Sequence, residues 1–114
     1  MTMPPNLVDH LAAFLAVVEH GGLTAAAREL RCAVSSVSYS LDQLETHCGF
    51  PLLQRGTRRS ELTDRGRALF SEAKSLVERA QRFKSHAMSL EKGEESRLRI
   101  LVDVLFPRTV LNRA

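Results

Sequence analysis

At 114 residues, of which 44% are hydrophobic, the chain has room for one modest domain and an appendage, and a core of that size folds without disulfide or metal staples. With 5% aromatics and no Trp, a stacking platform for single strands or sugars is not expected. The formal net charge of +3 is a mild basic excess whose total decides little; its distribution decides more.

In chain order, Pro4 and Pro5 close a short disordered start. From Asn6 onward, Leu7, Leu11, Phe14, Leu15 and Val18 recur at helical spacing, with Asn6 as N-cap. Gly21-Gly22 ends this first helix, because glycine enters the left-handed region without a Cβ clash. Thr24 is expected to cap a short second helix carrying Ala26, Ala27 and Leu30 on one side. After a break at Arg31 to Val34, a third helix turns Val37, Leu41 and Leu44 inward and Ser36, Tyr39 and Gln43 outward, and Gly49 stops it. The stretch FPLLQRGTRRSELT then sets Pro51, Gly56 and a run of arginines between apolar patches at Leu52-Leu53 and Leu62, the pattern of a small β-hairpin with a basic tip.

Thr63 is expected to cap one long helix reaching about Lys92, with no internal proline and Gly93 in the place of a terminating glycine. Along it Leu69, Ala73, Leu76, Ala80, Phe83, Ala87 and Leu90 alternate in steps of four and three, the heptad period by which two helices wind together. Such a helix outruns so small a core, so this stripe is the expected dimer interface. Its alanines imply close approach and leave the parallel or antiparallel choice open. In the tail, RLRILVDVLFPRTVLNRA, Arg97 to Phe106 alternates in the manner of a β-strand. A lone strand has no sheet to join, so the tail reads as the start of a second domain.

Residues 1–50 hold two Lys/Arg against five Asp/Glu, a net −3, whereas residues 51–92 hold ten against five, a net +5. The positive field begins at RGTRR (Arg55 to Arg59), and a basic cluster behind an almost uncharged serine-rich helix hints at a polyanionic partner. Two helices joined by a tight break, the first short and alanine-rich, make a helix-turn-helix. Alanines at 26 and 27 let the second helix cross close to the third. The third helix then fits a major groove about 12 Å wide, where the hydroxyls of Ser35, Ser36 and Ser38 can donate or accept at base edges and phosphates. Read alone, the same serines serve equally as capping and solvent-facing residues.

The segments FLAVVEHGGLTAAARELRCAVSSVSYSLDQLE, GFPLLQR and LTDRG, in this order and spacing, resemble the amino-terminal half of the LysR-type transcriptional regulators. The resemblance runs from Leu7 to about Gly66 and continues into the long helix; RLRILVDVLFP looks like the first strand of that family's effector-binding domain. It implies a mainly α fold, a winged helix-turn-helix of three helices plus a small β-hairpin wing, followed by a long dimerisation helix. The DNA-binding domain would span 6–63 with its helix-turn-helix at about 23–42, the linker helix 64–92, and a truncated start of the effector domain 93–114. The resemblance further implies sequence-specific binding of double-stranded DNA as a homodimer on a roughly palindromic site, and transcriptional regulation in the cytoplasm. A tetramer is open to the full-length protein, and a small-molecule effector belongs only to the missing domain. Carried over by position, Val34, Ser35, Ser38 and Tyr39 face the groove and Arg55, Arg58 and Arg59 fall in the wing. Thr24, Arg28 and Ser36 complete the candidate contacts, with Arg28 either on a phosphate or solvated. The family often has Gln where Val34 stands and Arg where Tyr39 stands. Losing the Gln removes a bidentate contact to adenine worth ~1–3 kcal/mol, and Val34 can touch a thymine methyl instead.

Other chemistries lack their parts. The sequence offers no nucleophile–base pair, phosphate-cradling glycine loop or paired inward carboxylates, so no enzyme is expected. Cys32 and Cys48 have no CxxC spacing, and His47 adds no second ligand cluster, so free thiols and no metal or cofactor are expected. His10, His20 and His86 are expected at the surface. The longest apolar run, LAAFLAVV, is too short to cross a bilayer, and no membrane partner is expected. The competing reading is a truncated interaction module that dimerises through the linker helix and titrates full-length regulators, its arginines only keeping it in solution.

Overall fold

The computed structural model describes residues 6–54, 56 and 60–100, with only the backbone given for 93–100. Four helices follow one another, α1 (Leu7–His20), α2 (Leu23–Leu30), α3 (Val34–Cys48) and α4 (Asp64–Ile100). The chain divides into two compact units, Met1–Arg79 and Ala80–Ala114.

In the first unit α1, α2 and α3 pack against one another. The α1 stripe sits inside, with Phe14 and Val17 wholly buried beside Ala26, Leu41 and Leu53. Burying each large side chain of this kind stabilises the fold by about 1.5–3 kcal/mol. Small side chains at Ala26 and Ala27, both buried, face this core from α2, while Leu30, expected beside them, is 38% exposed. On α3, Val37, Leu41 and Leu44 point inward as their spacing requires.

The helix ends follow the glycines more than the polar caps. Gly21 takes φ 87° in the left-handed region and donates its N–H to the Val17 carbonyl at 3.0 Å, ending α1. Gly49 ends α3 the same way, at φ 89°. Asn6 does stand at the N-cap position of α1, but its side chain makes no capping hydrogen bond. Thr24 does not cap α2: Gly22 holds that place and accepts from the Ala26 N–H at 3.0 Å, leaving Thr24 exposed in the first turn. Two glycines in succession turn the chain so tightly that helical geometry resumes one residue early.

Arg31, between α2 and α3, is the non-glycine residue found at positive φ among the described residues (φ 58°, ψ 49°). It is held there by its own N–H on the Ala27 and Arg28 carbonyls and by Cys32 N–H on Ala27 at 3.0 Å. A side chain in this conformation costs about 1–2 kcal/mol, less for a single residue replaced by the more flexible glycine. Arg31→Gly should therefore raise stability by roughly 0.5–1 kcal/mol, read as a small upward shift in thermal melting. A drop would show that the arginine side chain makes a contact worth more than its backbone strain.

After Gly49 the chain forms a minimal wing. Leu53 and Leu62 make one antiparallel bridge, flanked by Gln54 N–H on the Glu61 carbonyl at 2.7 Å and Thr63 N–H on the Leu52 carbonyl at 3.0 Å. The expected hairpin is thus present, with its pairing reduced to this short ladder. Thr63 caps α4 as its position suggested: its Oγ1 accepts the Gly66 N–H at 2.9 Å and donates to the Pro51 carbonyl at 2.8 Å.

The first turns of α4 belong to this same core. Phe70 meets Phe14 edge-to-face at 6.1 Å, Ala73 and Val77 are buried, and Lys74 pairs with Glu19 at 3.8 Å. This corrects part of the expected dimer stripe, since Ala73 is covered and Leu69 is packed against the core within a single chain. The heptad reading passed over Val77, which sits one turn after Ala73 and carries the inward face.

In the second unit α4 continues to Ile100. Gly93 does not stop it, and residues 97–100, expected as strand, are helical. One glycine costs a helix only about 1 kcal/mol relative to alanine. The neighbouring Glu, Lys, Arg and Leu of EKGEESRLRI are strong helix formers, so the helix absorbs that cost. The remainder of the expected strand, residues 101–106, lies outside the described residues.

Candidate nucleic-acid interface

A surface that reads DNA needs a helix anchored on one side and bare on the other. α3 meets that demand. Its inner positions are in the core, while Ser35, Ser36, Tyr39 and Gln43 are exposed. Val34 is 42% exposed and Tyr39 61%, unusual for side chains of their size unless a partner covers them. Ser38, assigned to the groove with Tyr39, is only half-buried, because it flanks the core stripe. Thr24 and Arg28 are both exposed on α2, four residues and about one turn apart. Arg55, Arg58 and Arg59 lie outside the described residues.

What fixes α3 relative to the wing is Glu45, which sequence reasoning noted only as part of a motif. Its side chain is buried, and Oε2 accepts the backbone N–H groups of Leu52 at 2.7 Å and Leu53 at 3.0 Å. A carboxylate accepting two amides is a charge-assisted clamp. It ties the last turn of the candidate reading helix to the first strand of the wing, so the two elements that would meet DNA move together. The signal available beforehand was a glutamate directly after the inward-facing Leu44, which puts a charge beside the core where only a fixed partner can keep it.

His10 is the second residue that spacing misplaced. Expected at the surface, it is 7% exposed, its Nδ1 is buried and without a hydrogen-bond partner, and its ring lies edge-on to Tyr39 at 6.4 Å. His20 and His86 are exposed as expected. Beside His10, a hollow of about 420 Å³ opens between the first turns of α1 and α3, bordered by Asp9, Ser35, Ser36 and Ser40.

Cys32 is exposed and Cys48 half-buried; both are free. Burial first, and the neighbouring Glu45 carboxylate second, push the Cys48 thiol above its ordinary range. Since the thiolate is the reactive form, an alkylating reagent at mildly alkaline pH should label Cys32 at least about tenfold faster than Cys48. Equal rates in the folded protein would contradict this environment. Among the described residues no His/Cys/Asp/Glu group could hold a metal ion, and no helix is long and apolar enough to cross a membrane.

Comparison with known proteins places this geometry. Residues 8–67 match the family model for the bacterial regulatory helix-turn-helix protein, lysR family. The HTH-type transcriptional regulator PtxR of Pseudomonas aeruginosa is 42% identical over 93 residues, covering 82% of this chain and 30% of PtxR. The probable HTH-type transcriptional regulator LtrA of Klebsiella pneumoniae is 33% identical over 107 residues, covering 94% of this chain and 35% of LtrA. The chain thus spans about a third of the length of these curated relatives. Among solved structures, the BenM DBD complex with catB site 1 DNA is similar with a TM-score of 0.66 at 31% identity, over 76% of this chain and 94% of that one. The CbnR DBD–DNA complex gives a TM-score of 0.64 at 31% identity, over 74% and 97%. With its three-helix domain, short wing and long fourth helix, this chain belongs to the LysR family of bacterial helix-turn-helix regulators.

Proposed function

We propose that this chain binds double-stranded DNA with sequence preference, as a homodimer, in transcriptional regulation. The observation that carries the reading is α3: anchored through Val37, Leu41 and Leu44, clamped to the wing by Glu45, and bare at Val34, Ser35, Ser36 and Tyr39. Two solved relatives of the same fold, BenM and CbnR, are titled as DNA complexes, which supports the same partner here. Base edges would be met by Val34, Ser35, Ser38 and Tyr39, and phosphates by Arg28 with Arg55, Arg58 and Arg59 of the wing. Thr24 and Ser36 would add hydroxyl contacts to the backbone.

Dimerisation is proposed through the second unit of α4. From residue 81 to 92 every position is exposed, including Phe83 at 76% and Leu90 at 39%. An isolated helix of that length is marginal in water, and a second copy of the same helix would cover Phe83, Ala87 and Leu90 and hold it. Leu76, 47% exposed, and the half-buried Ala80 would continue that face. A two-fold dimer presents two α3 helices to two half-sites, so the site would be roughly palindromic. A small-molecule effector, a tetramer and the sense of regulation would belong to a longer protein of which residues 93–114 open the next domain.

The test is substitution of both Arg58 and Arg59 by alanine. Affinity should fall for every sequence, and the slope of log affinity against log salt should flatten by about two, one per lost phosphate contact. An unchanged slope would remove the wing from the interface. The exposed Phe83 equally suits a module that only pairs with full-length regulators; that reading requires no duplex affinity at any salt.

A further inference from the structure

Tyr39 is the large side chain most open to solvent on α3, yet an exposed tyrosine that must read one base needs a fixed orientation. Beside it lies the hollow bordered by Ser35, Ser36 and Ser40, room into which a free ring could swing. The ring contact that Tyr39 makes among the described residues is with His10, centroids 6.4 Å apart and planes at 81°. His10 itself cannot follow it, being 7% exposed on α1 between turns that feed Leu11 and Phe14 into the core.

The chemistry of that position narrows what the imidazole is for. Its Nδ1 is buried without a hydrogen-bond partner, so the ring brings a desolvated polar atom that an apolar residue of similar size would not. The aromatic edge presented to Tyr39 is the interaction left to account for it. We infer that His10 is a specificity-determining positioning residue, a buried stop on α1 that sets the orientation of Tyr39 on the reading helix without touching DNA. The inference rests on the DNA-binding reading above.

Base preference should be profiled by selection from randomised duplexes for the unaltered chain and for His10→Leu, His10→Phe and Tyr39→Ala. Leucine fills the site without an aromatic edge and phenylalanine keeps the edge, so both should fold, with melting unchanged or higher. His10→Gln, ringless but polar, serves the same comparison if leucine lowers the folded fraction. His10→Leu should weaken discrimination by about two- to tenfold, at the base positions that Tyr39→Ala affects. Affinity for random duplex and its salt slope should stay put, and His10→Phe should keep the original preference. The double variant His10→Leu/Tyr39→Ala should discriminate no worse than Tyr39→Ala alone. A folded His10→Leu with unaltered preference overturns the inference, as does equal behaviour of the leucine and phenylalanine variants. If Tyr39→Ala shifts preference and His10→Leu does not, only the His10 role fails. If the unaltered chain shows no duplex affinity, the DNA-binding reading falls and takes this inference with it.

Discussion

Gly66→Ala is expected to lower the melting temperature by on the order of 15 °C, although alanine is the better helix former. Helix propensity favours the change by about 1 kcal/mol. Against it stands the wing: a Cβ on Gly66 would fall far inside van der Waals contact of the Leu52 carbonyl oxygen and 2.9 Å from its carbon. Those are backbone atoms, and that carbonyl is already engaged by the Thr63 N–H at 3.0 Å. Moving it would break the cap of α4, where Thr63 bridges Pso-far separate segments, the Pro51 carbonyl and the Gly66 amide. Overpacking against backbone costs about 3 kcal/mol or more, so the clash wins over propensity. Ser71→Ala, on an exposed turn of the same helix, is the control and should be neutral or slightly stabilising. Gly66→Ala melting at the original temperature would mean that α4 and the wing do not meet as closely as this geometry requires.

Phe83→Glu should have the largest functional effect. Phe83 is 76% exposed, so replacing it removes no contact from the first unit, and the helix-turn-helix should keep its stability. In the proposed dimer the change sets two carboxylates into an apolar seam beside Ala87 and Leu90. Sedimentation should then show monomers at concentrations where the unaltered chain pairs. Because a linked second reader contributes about 10²–10⁴ in avidity, affinity for an inverted repeat should drop by roughly that factor. Affinity for a single half-site should hardly move. A persistent Phe83→Glu dimer with full affinity would place the interface elsewhere.

Much of this domain was legible because its helices obey simple periodicity. Val37, Leu41 and Leu44 declared the inner face of α3, glycines at 21 and 49 its neighbours' and its own limits, and Thr63 the start of α4. The family motifs ordered these pieces into one fold. What spacing could not show was which partner a stripe meets. Leu69 and Ala73 share a heptad pattern with Phe83 and Leu90, but the first pair is used within the chain, because Phe14 offers Phe70 a ring one turn away. His10 was misjudged for a related reason: a histidine between Asp9 and Leu11 has no local sign of burial, and only the crossing of α1 over α3 encloses it. Gly93 was read as a stop by residue type, when the strength of the flanking helix formers decided the matter. Glu45 was visible as a letter in a motif, while its partners, two amides seven and eight residues on, exist only once the chain has turned at Gly49.

The central claim is that α3, with the wing beside it, enters duplex DNA as one of a pair. It is tested most directly by titrating the unaltered 114-residue chain onto a selected inverted-repeat duplex between 50 and 200 mM salt, with stoichiometry measured alongside. Two chains should bind per duplex, with affinity falling by about 10²–10³ across that range as phosphate-bound counterions are released. Absence of binding at the lowest salt, or an affinity indifferent to salt, would contradict it.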